Sequence, residues 1–207
     1  MQTNEITIAY RDWYVDAWQS IGLGNNKRLG NSGDEVDLGL GWSHSYDYVK
    51  LSVQMSYFIL SQFRTAADDR PVFDVRADFL KVPVVQPYVA ARWMGRFTQT
   101  VKEGGWFYWL GARRVQPLGF SIIKGSGQVK FNLDASIVFS DGALERTGGL
   151  VYGRMCGTLD IPLSKNLSLM PSIIWQIPSS TQRGTSISKC YDSHQEIAYS
   201  LGMQLKF

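Results

Sequence analysis

Apolar and polar residues alternate with a period of two along much of the chain. The alternation is clearest in residues 48–58, 128–139 and 199–207, and weaker in residues 35–42, 73–81, 88–97, 151–163 and 167–177. In the middle segment, for example, Phe131 and Leu133 alternate with Lys130 and Asn132. This spacing places one set of side chains on each face of a β-strand, and helical spacing is not sustained in the sequence. The pattern predicts an all-β chain.

Two kinds of connection join the predicted strands. Short turns lie near residues 44–47, 83–87 and 164–166, and longer loops lie near residues 19–34, 62–70, 98–105, 140–149 and 178–194. Short turns that alternate with long loops are typical of an antiparallel up-and-down barrel with two unlike ends. With residues 116–127 taken as a turn, we expect one domain over residues 1–207 with about ten strands, eight to twelve being compatible. Both termini would then lie at the short-turn end.

Composition excludes several classes of protein. The 207 residues carry 21 Lys+Arg and 18 Asp+Glu, 44% are hydrophobic and 13% are aromatic. The aromatic content is too high for a disordered chain, and the near balance of charge disfavours a nucleic-acid partner. Apolar stretches are too short for a membrane helix, which needs roughly 20 residues. The methionines at 55, 155 and 203 fall on apolar rows and the two cysteines are far apart, so we expect neither a metal site nor a cofactor.

The polar set of positions carries charges of both signs, and the apolar set carries aromatic residues near the strand ends. Those near the predicted long loops are Tyr57, Phe73, Phe97, Phe139, Trp175 and Tyr199, and those near the short turns are Trp42 and Phe207. A membrane barrel has such aromatic girdles on an apolar outer face, whereas a soluble barrel concentrates aromatic residues in mid-strand. The pattern favours a transmembrane barrel over a soluble ligand-binding barrel. It requires that Phe131, Leu133 and Leu205 point away from the interior.

The last nine residues carry a family resemblance. The run Tyr199-x-Leu201-x-Met203-x-Leu205-x-Phe207 resembles the C-terminal signature of bacterial outer-membrane β-barrel proteins. The resemblance implies an antiparallel barrel in the outer membrane of a Gram-negative bacterium, with the lipid bilayer and the barrel-assembly machinery as its partners. It implies no particular activity.

Charged residues of the polar set form the main candidate site. Arg76 lies between Asp74 and Asp78 on one predicted strand, with Arg92 and Arg96 on the next. Neighbouring strands lie about 4.8 Å apart, so these side chains could pair across them. Either a charged constriction that selects solutes or a salt-bridged plug would result. The complete set of candidate lumen residues is Asp74, Arg76, Asp78, Arg92, Arg96, Lys130, Asp134 and Arg154.

We therefore expect a small porin that passes or binds small polar solutes, and keep two alternatives within the outer membrane. One is a structural barrel that binds another envelope protein. The other is a hydrolase with a site in the long loops, because Asp192-x-His194 is similar to an element of the omptin proteases. His44 and Ser45 are adjacent on a strand and face opposite ways, so they do not form a catalytic pair.

Overall fold

The computed structural model describes residues 2–21, 35–59, 69–95, 104–142, 148–179 and 196–205. These residues form one antiparallel sheet of eleven strands. The strands are β1 Gln2–Tyr10, β2 Trp13–Ile21, β3 Glu35–Ser45, β4 Val49–Ile59, β5 Arg70–Phe79, β6 Gln86–Met94, β7 Gly105–Pro117, β8 Lys130–Ser140, β9 Gly149–Pro162, β10 Leu167–Pro178 and β11 Glu196–Leu205. The all-β prediction is confirmed. No helix in the described residues is long and apolar enough to cross a membrane.

Each strand pairs with the next one along the chain. The turns after β1, β3, β5, β7 and β9 therefore lie at one end of the sheet, called here the short-turn end. The even-numbered strands end at the opposite end of the sheet, called here the long-loop end. The segment between β7 and β8, for which a turn was predicted, is a turn in which the amide of Leu118 donates to Val129 O at 2.9 Å.

The number of strands falls within the predicted range of eight to twelve, but it is odd, and the N-terminus does not lie at the predicted end. The sheet has eleven strands because Arg11 and Asp12 form a two-residue turn inside the N-terminal run. Gln2 consequently lies at the long-loop end and Leu205 at the short-turn end, so the termini do not share one end. With an odd number of strands, β1 and β11 run in the same direction. In the part of the chain that the structure describes, no backbone ladder joins these two edges, so the sheet is not closed into a barrel.

The two faces of the sheet differ in composition. Residues that are paired in the register of neighbouring strands lie on the same face, and polar residues are paired with polar residues, as in Gln54↔Asp74 and Asp74↔Arg92. We call this side the polar face. The opposite side, the apolar face, bears the following residues among others: Ile6, Val15, Leu38, Leu51, Val75, Val89, Leu110, Phe131, Leu133, Ile173 and Leu201.

Large apolar side chains are exposed on the apolar face, and the polar face is the more enclosed of the two, the reverse of a water-soluble sheet. On the apolar face, Ile6 and Met55 are 66% and 67% exposed, and Phe131 and Leu133 are exposed as well. On the polar face, Asp78 is only 2% exposed and Tyr88 5%. Polar side chains also touch partners two strands away: the Tyr14 hydroxyl donates to Gln54 Oε1 at 3.1 Å. Strands two apart lie roughly 10 Å from each other in a flat sheet, so the polar face is concave.

Candidate polar site on the concave face

Asp78 is the most enclosed carboxylate of the polar face. Arg76, two residues away on β5, donates from Nη2 to Asp78 Oδ1 at 2.8 Å and from Nε to both carboxylate oxygens at 3.1 Å. Arg113 on β7 places its Nη2 3.6 Å from Asp78 Oδ1. One buried carboxylate therefore lies between two guanidinium groups and ties β5 to β7. Such a pair contributes little net stability by its presence, but removal of one member leaves a buried charge without a partner.

A second ion pair joins β5 to β6. Asp74 and Arg92 are partners in the register, and the Arg92 Nε donates to Asp74 Oδ1 at 2.7 Å while Nη2 donates to Oδ2 at 3.1 Å. The Arg92 guanidinium also lies 5.4 Å from the ring centre of Phe58 and 5.9 Å from that of Trp109. Two nitrogens of the guanidinium thus bind the two oxygens of one carboxylate, and this bidentate arrangement is the strongest for an Arg–Asp pair.

Tyr88 connects Asp134 to the Arg76–Asp78 ion pair. Its hydroxyl donates to Asp134 Oδ1 on β8 at 2.8 Å, and the Arg76 guanidinium stacks 3.7 Å above the ring centre. The ring lies across Gly111 of β7, where a Cβ atom would overlap it. Tyr14 lies across Gly41 of β3 in the same way. Glycine on the middle strand lets the ring reach the strand beyond.

The polar face of β8 to β11 is different. Small or uncharged residues dominate there: Ser136, Cys156, Thr158, Ser172, Ser200 and Gly202. Lys130 and Arg154 belong to none of the ion pairs formed among the described residues. The Arg154 Nε and Asp160 Oδ1 atoms are buried and have no hydrogen-bond partner.

The predicted site residues thus fall into three groups. Asp74, Arg76, Asp78, Arg92 and Asp134 have polar partners in two separate sets: Arg76, Asp78 and Asp134 form a network with Tyr88 and Arg113, which the structure adds, and Asp74 pairs with Arg92. Lys130 and Arg154 lie on the same face outside both sets. Arg96, Asp192 and His194 lie outside the described residues, so the constriction and the hydrolase hypotheses that use them stay predictions.

His44 has a partner that the sequence did not indicate. It lies on the apolar face at the short-turn end, and its Nδ1 is 3.0 Å from Asp12 Oδ2. Trp42 and Tyr46 pack against the imidazole, with ring centres 5.9 and 4.6 Å away. Ser45 is on the opposite face, as expected from its position in the strand. A histidine and a carboxylate without a nucleophile in contact do not make a catalytic site.

The described residues contain no cluster of three His, Cys, Asp or Glu side chains that could hold a metal ion. Comparison of the chain with models of protein families and with curated proteins gives no match. The geometry of the two faces is therefore what bears on function.

Proposed function

We propose that this chain is an outer-membrane protein of a Gram-negative bacterium whose apolar face contacts lipid. The observation that carries the proposal is the reversed polarity of the sheet, with exposed aliphatic side chains on ten of the eleven described strands, all but β5, and ion pairs on the concave side. Burial of one large aliphatic side chain is worth about 1.5–3 kcal/mol. Exposure of so many in water would make the folded sheet unstable or prone to aggregate, whereas a bilayer covers them at no cost.

The position of aromatic residues on the apolar face supports the same proposal. Near the short-turn end this face carries Tyr10, Trp13, Trp42 and Phe79. Near the long-loop end it carries Tyr57, Phe73, Trp93, Trp106, Phe139, Trp175 and Tyr199. Between them lie mostly Leu, Ile, Val, Ala and Met. Two aromatic belts around an aliphatic band match the two headgroup regions of a bilayer.

Strand length is compatible with this arrangement. The eleven strands have nine to fourteen residues, and a tilted strand needs about 9–11 to cross the hydrocarbon layer. A bilayer also requires that edge amides be paired, so we expect β1 and β11 to associate directly or through another strand when the protein is inserted.

Within the membrane we propose that the polar face lines a narrow path for small polar solutes. The ion pairs lie on the part of the concave side formed by β5 to β7, while the part formed by β8 to β11 has mostly uncharged side chains and the unpartnered atoms Arg154 Nε and Asp160 Oδ1. This asymmetry favours a path along β8 to β11. The cross-linked network by itself also suits a closed structural barrel that binds an envelope partner, which is the second candidate.

Conductance measurements separate the two candidates. Folded protein in a planar bilayer is expected to give discrete current steps in 1 M KCl. Heat-modifiable mobility on a gel serves as the control that the protein has folded. A folded preparation that carries no current at any voltage would contradict the channel proposal and leave the structural one.

A further inference from the structure

Three arginines of the polar face are held by carboxylates. Arg76 and Arg113 share Asp78, and Arg92 is paired with Asp74. These guanidinium groups are already occupied, so they hold the sheet together and are poorly available to a solute. Arg154, on β9, is on the same face but has no such partner.

The surroundings of Arg154 contain neutral groups. Its partners in the register are Ser136 on β8 and Gln176 on β10. Asp134 is displaced from it by two positions along β8, opposite Cys156, and already accepts the hydrogen bond from Tyr88. The Nε atom is buried without an acceptor. The Nη groups of Arg154 are not among the buried unpartnered atoms of the described residues, so they are the donors that an anion can reach.

We infer that Arg154 is an anion-binding residue of the polar face, with small oxyanions such as carboxylates or phosphate as its ligands. The planar fork formed by the two Nη groups matches two oxygens of such an anion, whereas chloride can use only one direction at a time. The hydroxyl of Ser136 and the amide of Gln176 are neutral groups at the neighbouring register positions and add no competing charge. This inference rests on the proposed function for its access route, because the solute must reach the concave side.

The test combines binding with conduction, so that the inference and the channel proposal can fail separately. Acetate and phosphate are titrated calorimetrically into folded protein in neutral detergent, using the wild type, Arg154→Gln and Arg154→Lys. Arg114→Gln is the matched control, because Arg114 lies on the apolar side of β7 and its Nη2 donates to Gln116 Oε1. All four proteins are then compared in planar bilayers by their reversal potential in a KCl gradient.

We expect Arg154→Gln to weaken acetate binding roughly tenfold or more, since bonds to a charged group are lost. Arg154→Lys should keep the charge and lose the two-point contact, so it should retain anion preference in the bilayer but bind acetate less tightly than the wild type. Arg114→Gln should behave as the wild type in both measurements.

Equal acetate binding by the wild type and Arg154→Gln overturns the inference, whatever the conductance. Binding that Arg154→Gln removes, in a protein that carries no current, supports the inference and contradicts the channel proposal. A third outcome is that the wild type binds no measurable acetate and that Arg154→Gln conducts with unchanged ion selectivity. This outcome contradicts the inference and leaves the channel proposal intact.

Discussion

At the scale of single residues, the polar contacts of the concave face depend on glycines that leave room for a tyrosine ring to cross a strand. Tyr88 reaches Asp134 on β8 only because Gly111 lies beneath its ring on the intervening strand β7. The ring in turn supports the Arg76 guanidinium, whose other contact is Asp78. A glycine with no polar atom in its side chain thereby determines the geometry of three polar residues.

Gly111→Ala is expected to lower the free energy of unfolding by about 1–3 kcal/mol, because the added methyl group displaces the Tyr88 ring and its hydrogen bond. Urea unfolding of the protein in detergent, followed by tryptophan fluorescence, measures the change. Gly153→Ala is the matched control, since Gly153 is on β9 and a Cβ atom there meets open space. Equal effects of the two substitutions would show that the ring does not lie over Gly111 as described.

The sequence predicts only part of this network. Arg92 and Asp74 were expected to pair because they are on adjacent strands and on the same face, and they do. Arg113 and Tyr88 were missed, since each contacts a carboxylate two strands away. Such contacts depend on how strongly the sheet curves, and alternation along a strand carries no information about curvature. Nor does the sequence indicate which arginines are left unpaired.

At the scale of elements, strands were easier to predict than turns. The alternation located the strands from β3 onward except β7, which only the predicted loop and turn on either side of it indicated, and the turn between β1 and β2 was missed. That turn is Arg11-Asp12, which lacks the Asn-Gly or Asp-Gly pair that usually marks a two-residue hairpin turn. Arg11 adopts φ 55°, a value that non-glycine residues seldom take. Because the hairpin lacks the usual turn residues, the sequence did not indicate that β1 and β2 are separate strands.

The turn between β5 and β6 has a similar irregularity, from which a prediction follows. Val84 has φ 75°, and the amide of Val85 donates to Pro83 O at 3.0 Å, which makes a strained three-residue turn. Val84→Gly is expected to raise the free energy of unfolding by about 1 kcal/mol, because glycine adopts this φ without steric cost.

Val85→Gly is the comparison for this turn, because Val85 has no positive φ and the substitution only adds freedom to the unfolded chain. We expect it to be neutral or destabilising in the same urea titration. A Val84→Gly protein no more stable than Val85→Gly would argue against strain at position 84.

At the scale of the whole molecule, the proposal that the apolar face contacts lipid can be tested by comparing tryptophans on the two faces of the sheet. Trp93 on β6 is on the exposed apolar face, and Trp109 on the neighbouring strand β7 is on the polar face. Both lie in the half of their strand that is nearer the long-loop end. They therefore differ mainly in the face of the sheet on which the side chain lies.

Two variants that each keep one of these tryptophans, with the other six changed to phenylalanine, are reconstituted in vesicles with brominated acyl chains. Quenching requires close approach to lipid, so we expect the Trp93 fluorescence to fall strongly and the Trp109 fluorescence to change little. Heat-modifiable gel mobility checks that both variants fold. Strong quenching of Trp109, or none of Trp93, would mean that the apolar face is not the one in lipid.

The odd number of strands has a consequence for how such a sheet would be handled in experiments. An even count would return both ends of the chain to the same aqueous compartment. Eleven crossings would instead leave Gln2 and Leu205 facing different compartments. An epitope placed before the first crossing and one placed after the last would then be reachable only from opposite sides, so one antibody applied to intact cells could detect at most one of them.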